Sequence, residues 1–240
     1  MSSTSEVGHG KNIANLNLLN TNIIAVGAKY NPSNPKLILA QMQNMYNVNF
    51  ANQENVNNKV APYTVAVDER EIIFKPLNRD LSKLRKAYKA TEGVTEVQVE
   101  DLMTIIRKLK GVRKKIKEST DPNVAQINYS TSQMSYDQRT NNMDLLISLL
   151  QNTTNYNPNE TEYKVQTYQN RKVDMLAKTQ IVANTFVDLN SSRTTRNESM
   201  YNAEDNLVDI ANRAKDYLFT ILDSDSPQYK AIAKIKFKKR

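Results

Sequence analysis

The sequence predicts an all-α protein: a tandem duplication of a three-helix bundle unit plus a short terminal helix, making an elongated helical bundle. Three observations predict it. Apolar residues recur at spacings of three and four through most of the chain, which lines one side of a helix and does not suit a strand. Only five Gly and seven Pro punctuate 240 residues, so long segments run without a breaker. The chain also keeps register with itself, because Tyr30-Asn31-Pro32 returns as Tyr156-Asn157-Pro158, 126 residues on.

The same interval carries Phe74, Leu77, Leu81, Leu84 and Tyr88 onto Met200, Ala203, Leu207, Ile210 and Ala214. It carries Arg70 onto Arg196, and Leu19, Ile23 and Ile24 onto Leu145, Leu149 and Leu150. A tripeptide alone would mean little. A tripeptide, an Arg and two apolar stripes in one register are what a duplicated unit leaves behind. The division expected is a loose N-terminus at 1–10, a first helical repeat at 11–110, a basic and polar linker at 111–134, and a second repeat with a basic tail at 135–240.

Taken in order, the first helix is expected from Lys11 to Val26, with Ile13, Leu16, Leu19, Ile23 and Val26 on one face and Gly27 as its C-cap. The turn offers two starts with Pro at the first helical position, Asn31 before Pro32 and Asn34 before Pro35. The second helix should reach about Asn58 and break at Ala61-Pro62. The third holds the Phe74–Tyr88 stripe, with a kink at Pro76, and ends near Thr91-Glu92-Gly93. Thr95 and Gln98 have capping-box spacing and should open a fourth helix that ends near Leu109, before Gly111.

Ser135 and Gln138 repeat that spacing and open the second copy, in which Asn159 with Glu162 marks the second helix start. From Glu160 to Leu222 there is neither Gly nor Pro. One helix of that length would exceed ~90 Å. A hairpin is therefore expected over Val187-Asp188-Leu189-Asn190-Ser191-Ser192, opposite the break at Pro62, with a single rod as the alternative. Ser226-Pro227 should cap a last short helix.

The composition excludes some chemistry. With no Cys there are no disulfides, thiolate metal sites or cysteine catalysis. The single His, His9, is expected to be exposed outside the first helix, with no second ligand or nucleophile near it in sequence, so no metal or other cofactor is expected. The glycines form neither a P-loop nor a dinucleotide-binding fingerprint. The acidic clusters Asp68-Glu69-Arg70-Glu71 and Glu204-Asp205 could hold paired acids, but they read as solvated helix faces because neither sits in apolar surroundings. No catalytic residue is assigned and no enzyme is expected. No stretch is apolar enough to span a bilayer, and no signal peptide is evident. The cytoplasm is the expected compartment, with non-classical export left open.

The net charge of +8 is the stronger signal. It concentrates at Lys83–Lys89, at Arg107, Lys108, Lys110, Arg113, Lys114, Lys115 and Lys117, and in a tail with Lys234, Lys236, Lys238, Lys239 and Arg240. Such runs can neutralise phosphates of nucleic acid or lipid, or pair with acidic faces of another protein. Tyr88 and Phe237 do not make a base-stacking platform. In the tail, Ala233, Ile235 and Phe237 alternate with lysines, a strand-like period suited to docking against another chain or to fraying.

The opening Ser2-Ser3-Thr4-Ser5-Glu6-Val7-Gly8-His9, the Tyr-Asn-Pro turns, Arg70-Glu71-Ile72-Ile73-Phe74-Lys75-Pro76-Leu77 and the end Ser226-Pro227-Gln228-Tyr229-Lys230 resemble a family of uncharacterised bacterial helical proteins. The resemblance implies a helical duplication and brings no activity, cofactor or site. The function expected is that of a non-enzymatic structural or interaction protein that associates with itself, as a homo-oligomer or filament, or with another protein. Nucleic-acid binding through the basic segments is one alternative, and a membrane-active helical protein is another.

Overall fold

A computed structural model describes residues 8–75, 77–111 and 135–239. Among them the chain is all helical, with no strand. The α-helices are α1 (His9–Val26), α2 (Leu39–Phe74), α3 (Leu77–Lys89), α4 (Glu96–Lys110), α5 (Tyr136–Gln151), α6 (Val165–Asn197), α7 (Leu207–Ile221) and α8 (Pro227–Ala233). A π-helical segment, Glu198–Asn202, extends α6.

Several ends follow from local chemistry. Gly27 closes α1 at φ 64°, where a Cβ would be strained, and its N–H bonds Ile23 and Ile24 carbonyls. Gly111 closes α4 in the left-handed conformation. Thr95 and Gln98 form a complete capping box. Ser135 and Ser226 each accept from the N–H three residues on. Asn34 caps a 3-10 turn at Pro35–Leu37 rather than a helix, and α2 starts only at Leu39. Asn31 starts no helix, and the matching 3-10 turn at Thr161–Tyr163 begins after Glu160 with no side-chain cap, so Asn159 does not open it.

Two expected breaks are absent. α2 runs unbroken through Pro62 for 36 residues. Pro62 is exposed, so the Asn58 carbonyl it leaves without a donor faces water rather than the core. α6 likewise runs for 33 residues through 187–192, with no hairpin. Its polar residues there pair with α2: Asn55 Nδ2 donates to Ser192 Oγ at 3.2 Å, and Lys59 lies 3.4 Å from Asp188. Leu189 and Val56 are buried beside them. These cross-helix contacts hold a stretch whose own helix propensity is poor. The kink expected at Pro76 lies outside the described residues, as does most of the linker.

The chain forms two compact units, and neither coincides with a sequential half. Unit 1 is residues 1–63 with 185–240, and unit 2 is residues 64–184. The unbroken helices explain the interleaving. A helix of 36 residues is about 54 Å long, so its two ends serve different cores.

In unit 1, Ile13, Leu16, Leu19 and Ile23 of α1 pack with Leu207, Ile210, Ala211, Ala214 and Leu218 of α7 and with Ile232 of α8. In unit 2, Met143, Leu146, Ile147 and Leu150 of α5 pack with the stripe Phe74, Leu77, Leu81, Leu84 and Tyr88 and with Val99, Leu102, Ile106 and Leu109 of α4. Each core thus takes its leading helix from one half of the sequence and its later helices from the other.

The interval of 126 carries Pro35–Leu37 onto Thr161–Tyr163 and Leu39 onto Val165, the first residues of α2 and α6. In both turns the Tyr of Tyr-Asn-Pro donates its hydroxyl seven residues ahead, Tyr30 to the Leu37 carbonyl at 2.7 Å and Tyr156 to that of Tyr163 at 2.6 Å. The match is incomplete afterwards. α7 begins at Leu207, and Ala203 lies exposed in the irregular stretch before it, so it is not part of the buried stripe.

Candidate interaction surface

The predicted basic residues fall into three groups. Arg107, Lys108 and Lys110 occupy the last turn of α4, in unit 2, where the helix dipole favours cations. Arg107 lies 3.5 Å from Glu100 on the same helix. Lys110 donates to the Ser82 hydroxyl of α3, and burial lowers its pKa. Only Lys108 of the three is exposed. Arg113, Lys114, Lys115, Lys117 and Arg240 lie outside the described residues. Lys234, Lys236, Lys238 and Lys239 belong to unit 1, whereas the run at Lys83–Lys89 shares unit 2 with Arg107, Lys108 and Lys110.

The tail behaves differently from the expectation of docking on another chain. Residues 235–239 run extended against their own unit, with Ile235 and Phe237 buried in its core. The expected alternation is present, and it docks on the chain's own core and α1. The Asn12 amide of α1 donates to the Lys238 carbonyl at 2.9 Å and accepts from the Lys238 N–H at 3.3 Å, which is how a neighbouring strand would bond it. Asn15 donates to the Lys236 carbonyl at 2.7 Å, and Lys215 donates to that of Ile235. Burial holds the Lys215 pKa below the ordinary lysine value. The lysine side chains of the tail point outward, and Lys239 pairs with Asp209 at 2.7 Å.

His9 also differs from the expectation. It is the first residue of α1, partly buried, with Nδ1 2.9 Å from the Tyr201 hydroxyl. The acidic clusters are spent on ion pairs in part: Glu69 meets Lys178 at 2.7 Å, and Asp205 meets Lys36. Among the described residues, no group of three His, Cys, Asp or Glu could hold a metal ion. No helix there is long and apolar enough to cross a membrane.

Two surface features were not legible beforehand. One is a cleft of about 560 Å³ in unit 2, between α3 and the turn at 155–163, whose walls include Lys83, Lys86, Asn155, Asn157 and Asn159. The signal that could have found it is the pair of small residues Ala87, on α3, and Ala90, just after it. In unit 1 the corresponding turn meets Tyr217 of α7, whose ring lies edge-on to Tyr30 at 5.3 Å and whose hydroxyl accepts from the Asn31 N–H at 3.3 Å. The other feature is a set of exposed apolar residues on the long helices. Ile72 on α2 is 65% exposed, and Val173 and Val187 on α6 are each 64% exposed. Val65 and Leu176 are at least half exposed. Nothing in the heptad pattern separates these residues from the core.

Comparison with protein-family models, with curated proteins and with solved structures finds no match to this chain.

Proposed function

We propose that the protein is a non-enzymatic structural or interaction protein, built by internal duplication, that associates with copies of itself. The observation that supports this reading is the exposed apolar surface of α2 and α6, at Val65, Ile72, Val173, Leu176 and Val187. Single exposed apolar residues are ordinary on a protein surface. Five of this size on two helices otherwise rich in Asn and Gln are more than solubility requires.

Their burial sets a scale. Covering what remains exposed of each contributes about 1 kcal/mol, or about 5 kcal/mol together. Association costs about 4–15 kcal/mol in lost rigid-body freedom. These apolar residues alone therefore give only weak association, and charged contacts must add to them.

Light scattering and sedimentation velocity across protein and salt concentration test the reading. Oligomers that grow with concentration are expected. Val173→Asp with Leu176→Asp should weaken them while helical content by circular dichroism stays constant, since both residues face solvent in the single chain. A wild-type chain that stays monomeric at every concentration and salt would refute self-association. A salt-sensitive complex with nucleic acid formed by such a monomer would replace it with phosphate binding.

A further inference from the structure

The cleft beside α3 has features that call for an anionic occupant. Lys83 and Lys86 stand three residues apart on one helix face, so their Cβ atoms are about 5–6 Å apart. Neither pairs with a carboxylate among the described residues, although other surface lysines such as Lys36, Lys59, Lys89, Lys172 and Lys178 do. Three asparagines on the facing turn, Asn155, Asn157 and Asn159, add amide donors. Glu160 is the one carboxylate in the lining, which leaves the cleft with a net positive charge. In unit 1 the ring and hydroxyl of Tyr217 lie against the corresponding turn.

A complementary feature lies in unit 1. The loop joining α7 to α8 is Leu222-Asp223-Ser224-Asp225, and both aspartates are exposed. Neither pairs with a cation among the described residues. The loop is already ordered by its own bonds: the Asp225 N–H donates to Asp223 Oδ1 at 3.0 Å, and the Ser226 N–H and hydroxyl both donate to the Asp223 carbonyl. A rigid loop loses little freedom on docking. The corresponding loop between α3 and α4, residues 90–95, holds a single acid, Glu92. Of these two loops, the one between α7 and α8 is the more acidic.

We propose that the cleft at Lys83 and Lys86 receives the Asp223–Asp225 loop of a second copy of this chain. The contact rests on the self-association reading and supplies the charged part that the apolar face lacks. Its two surfaces differ, so it can link copies in succession or be made twice in a reciprocal dimer. Opposite charges meeting at a partly open cleft give orientation and salt dependence more than raw affinity.

Paired variants in the full chain test it by sedimentation velocity. K83E/K86E and D223K/D225K should each weaken self-association by about tenfold or more, with unchanged circular dichroism because all four residues are exposed. The neutral set K83Q/K86Q should give a smaller loss in the same direction and guards against a misfolded reversal. Mixing K83Q/K86Q with D223N/D225N should restore association, as each variant retains the surface the other lacks. Wild-type oligomers with unchanged variants would overturn the contact and leave self-association standing. Weakened variants that do not recover on mixing would also overturn it. A monomeric wild type would overturn both readings.

Discussion

The Asn12 side chain is the test of how the tail is held. It is 4% exposed and makes both of its bonds to Lys238 through one amide. Replacing it by Ala removes the two bonds to the tail, whose net worth is about 0.5–1.5 kcal/mol each, together with a longer bond to the Tyr201 hydroxyl at 3.4 Å, so the docked tail should lose about 1–3 kcal/mol. The apolar contribution is larger. Ile235 and Phe237 are 3% and 9% exposed, and burying each contributes about 1.5–3 kcal/mol. The tail of Asn12→Ala should therefore remain docked most of the time but open more often. A loss of about 1–3 kcal/mol raises the open fraction by roughly 5- to 150-fold, since each 1.4 kcal/mol is about tenfold. Trypsin reads that fraction directly, because Lys234 and Lys236 are cut only in an open tail and cleavage follows the open population when closing is fast. Mass spectrometry should show faster loss of the terminal residues in Asn12→Ala, and faster still with Asn15→Ala added. Cleavage that is equally fast in wild type and variant, with the rest of the chain folded, would refute the docking geometry.

Leu81→Asp and Leu207→Asp each place a carboxylate at a site with no exposure and should cost about 4 kcal/mol or more, whereas Ala203→Asp, at the exposed position of the same register, should stay within about 0.5 kcal/mol; urea midpoints compare the three. Tyr168→Phe should raise stability by about 1 kcal/mol, because the buried Tyr168 hydroxyl has no hydrogen-bond partner among the described residues and its removal relieves an unmet donor. Burial raises the pKa of Tyr30 to about 12 and raises those of Tyr156 and Tyr168 as well. The neutral phenols are thus favoured in the folded state, and their contribution is complete below the ordinary tyrosine value of 10.0 and is lost as the pH climbs through the raised values. Urea midpoints should fall as the pH rises above 10.0, with part of that slope removed in Tyr168→Phe.

Much of the fold was legible because much of it is local. The stripe Leu77, Leu81, Leu84 and Tyr88, the Thr95 box, the Ser135 and Ser226 caps and the glycine ends at 27 and 111 each depend on a few neighbouring residues. The failures came where distant residues decide. Pro62 breaks a helix only if the freed carbonyl has nowhere to go, and here it faces water. The polar run 187–192 would turn if it stood alone, and it stays helical because Asn55 and Lys59 lie beside it. Those two errors are one error, since a chain broken at both places would close each half on itself. The tail shows the same division: its alternation was visible, but the Asn12 and Asn15 amides that receive it lie more than 200 residues earlier in sequence. The basic cleft was hidden because it forms between α3 and a turn distant in sequence, a juxtaposition that no local motif records.

The interleaved cores set the order in which the chain can finish folding as it is made. All of the residues in one core, from Phe74 to Met175, have been synthesised by the end of unit 2 at Asn184. The other core cannot close until Ile232, Ile235 and Phe237 appear. The apolar face of α1 is synthesised first and buried last. At about 5–20 residues per second the wait is roughly 10–40 s, during which Leu16, Leu19 and Ile23 need a provisional cover from the nascent chain itself or from a chaperone. A chain halted at Asn184 would hold one complete core and an orphaned α1, so premature termination yields a half-folded, adhesive product rather than one intact repeat.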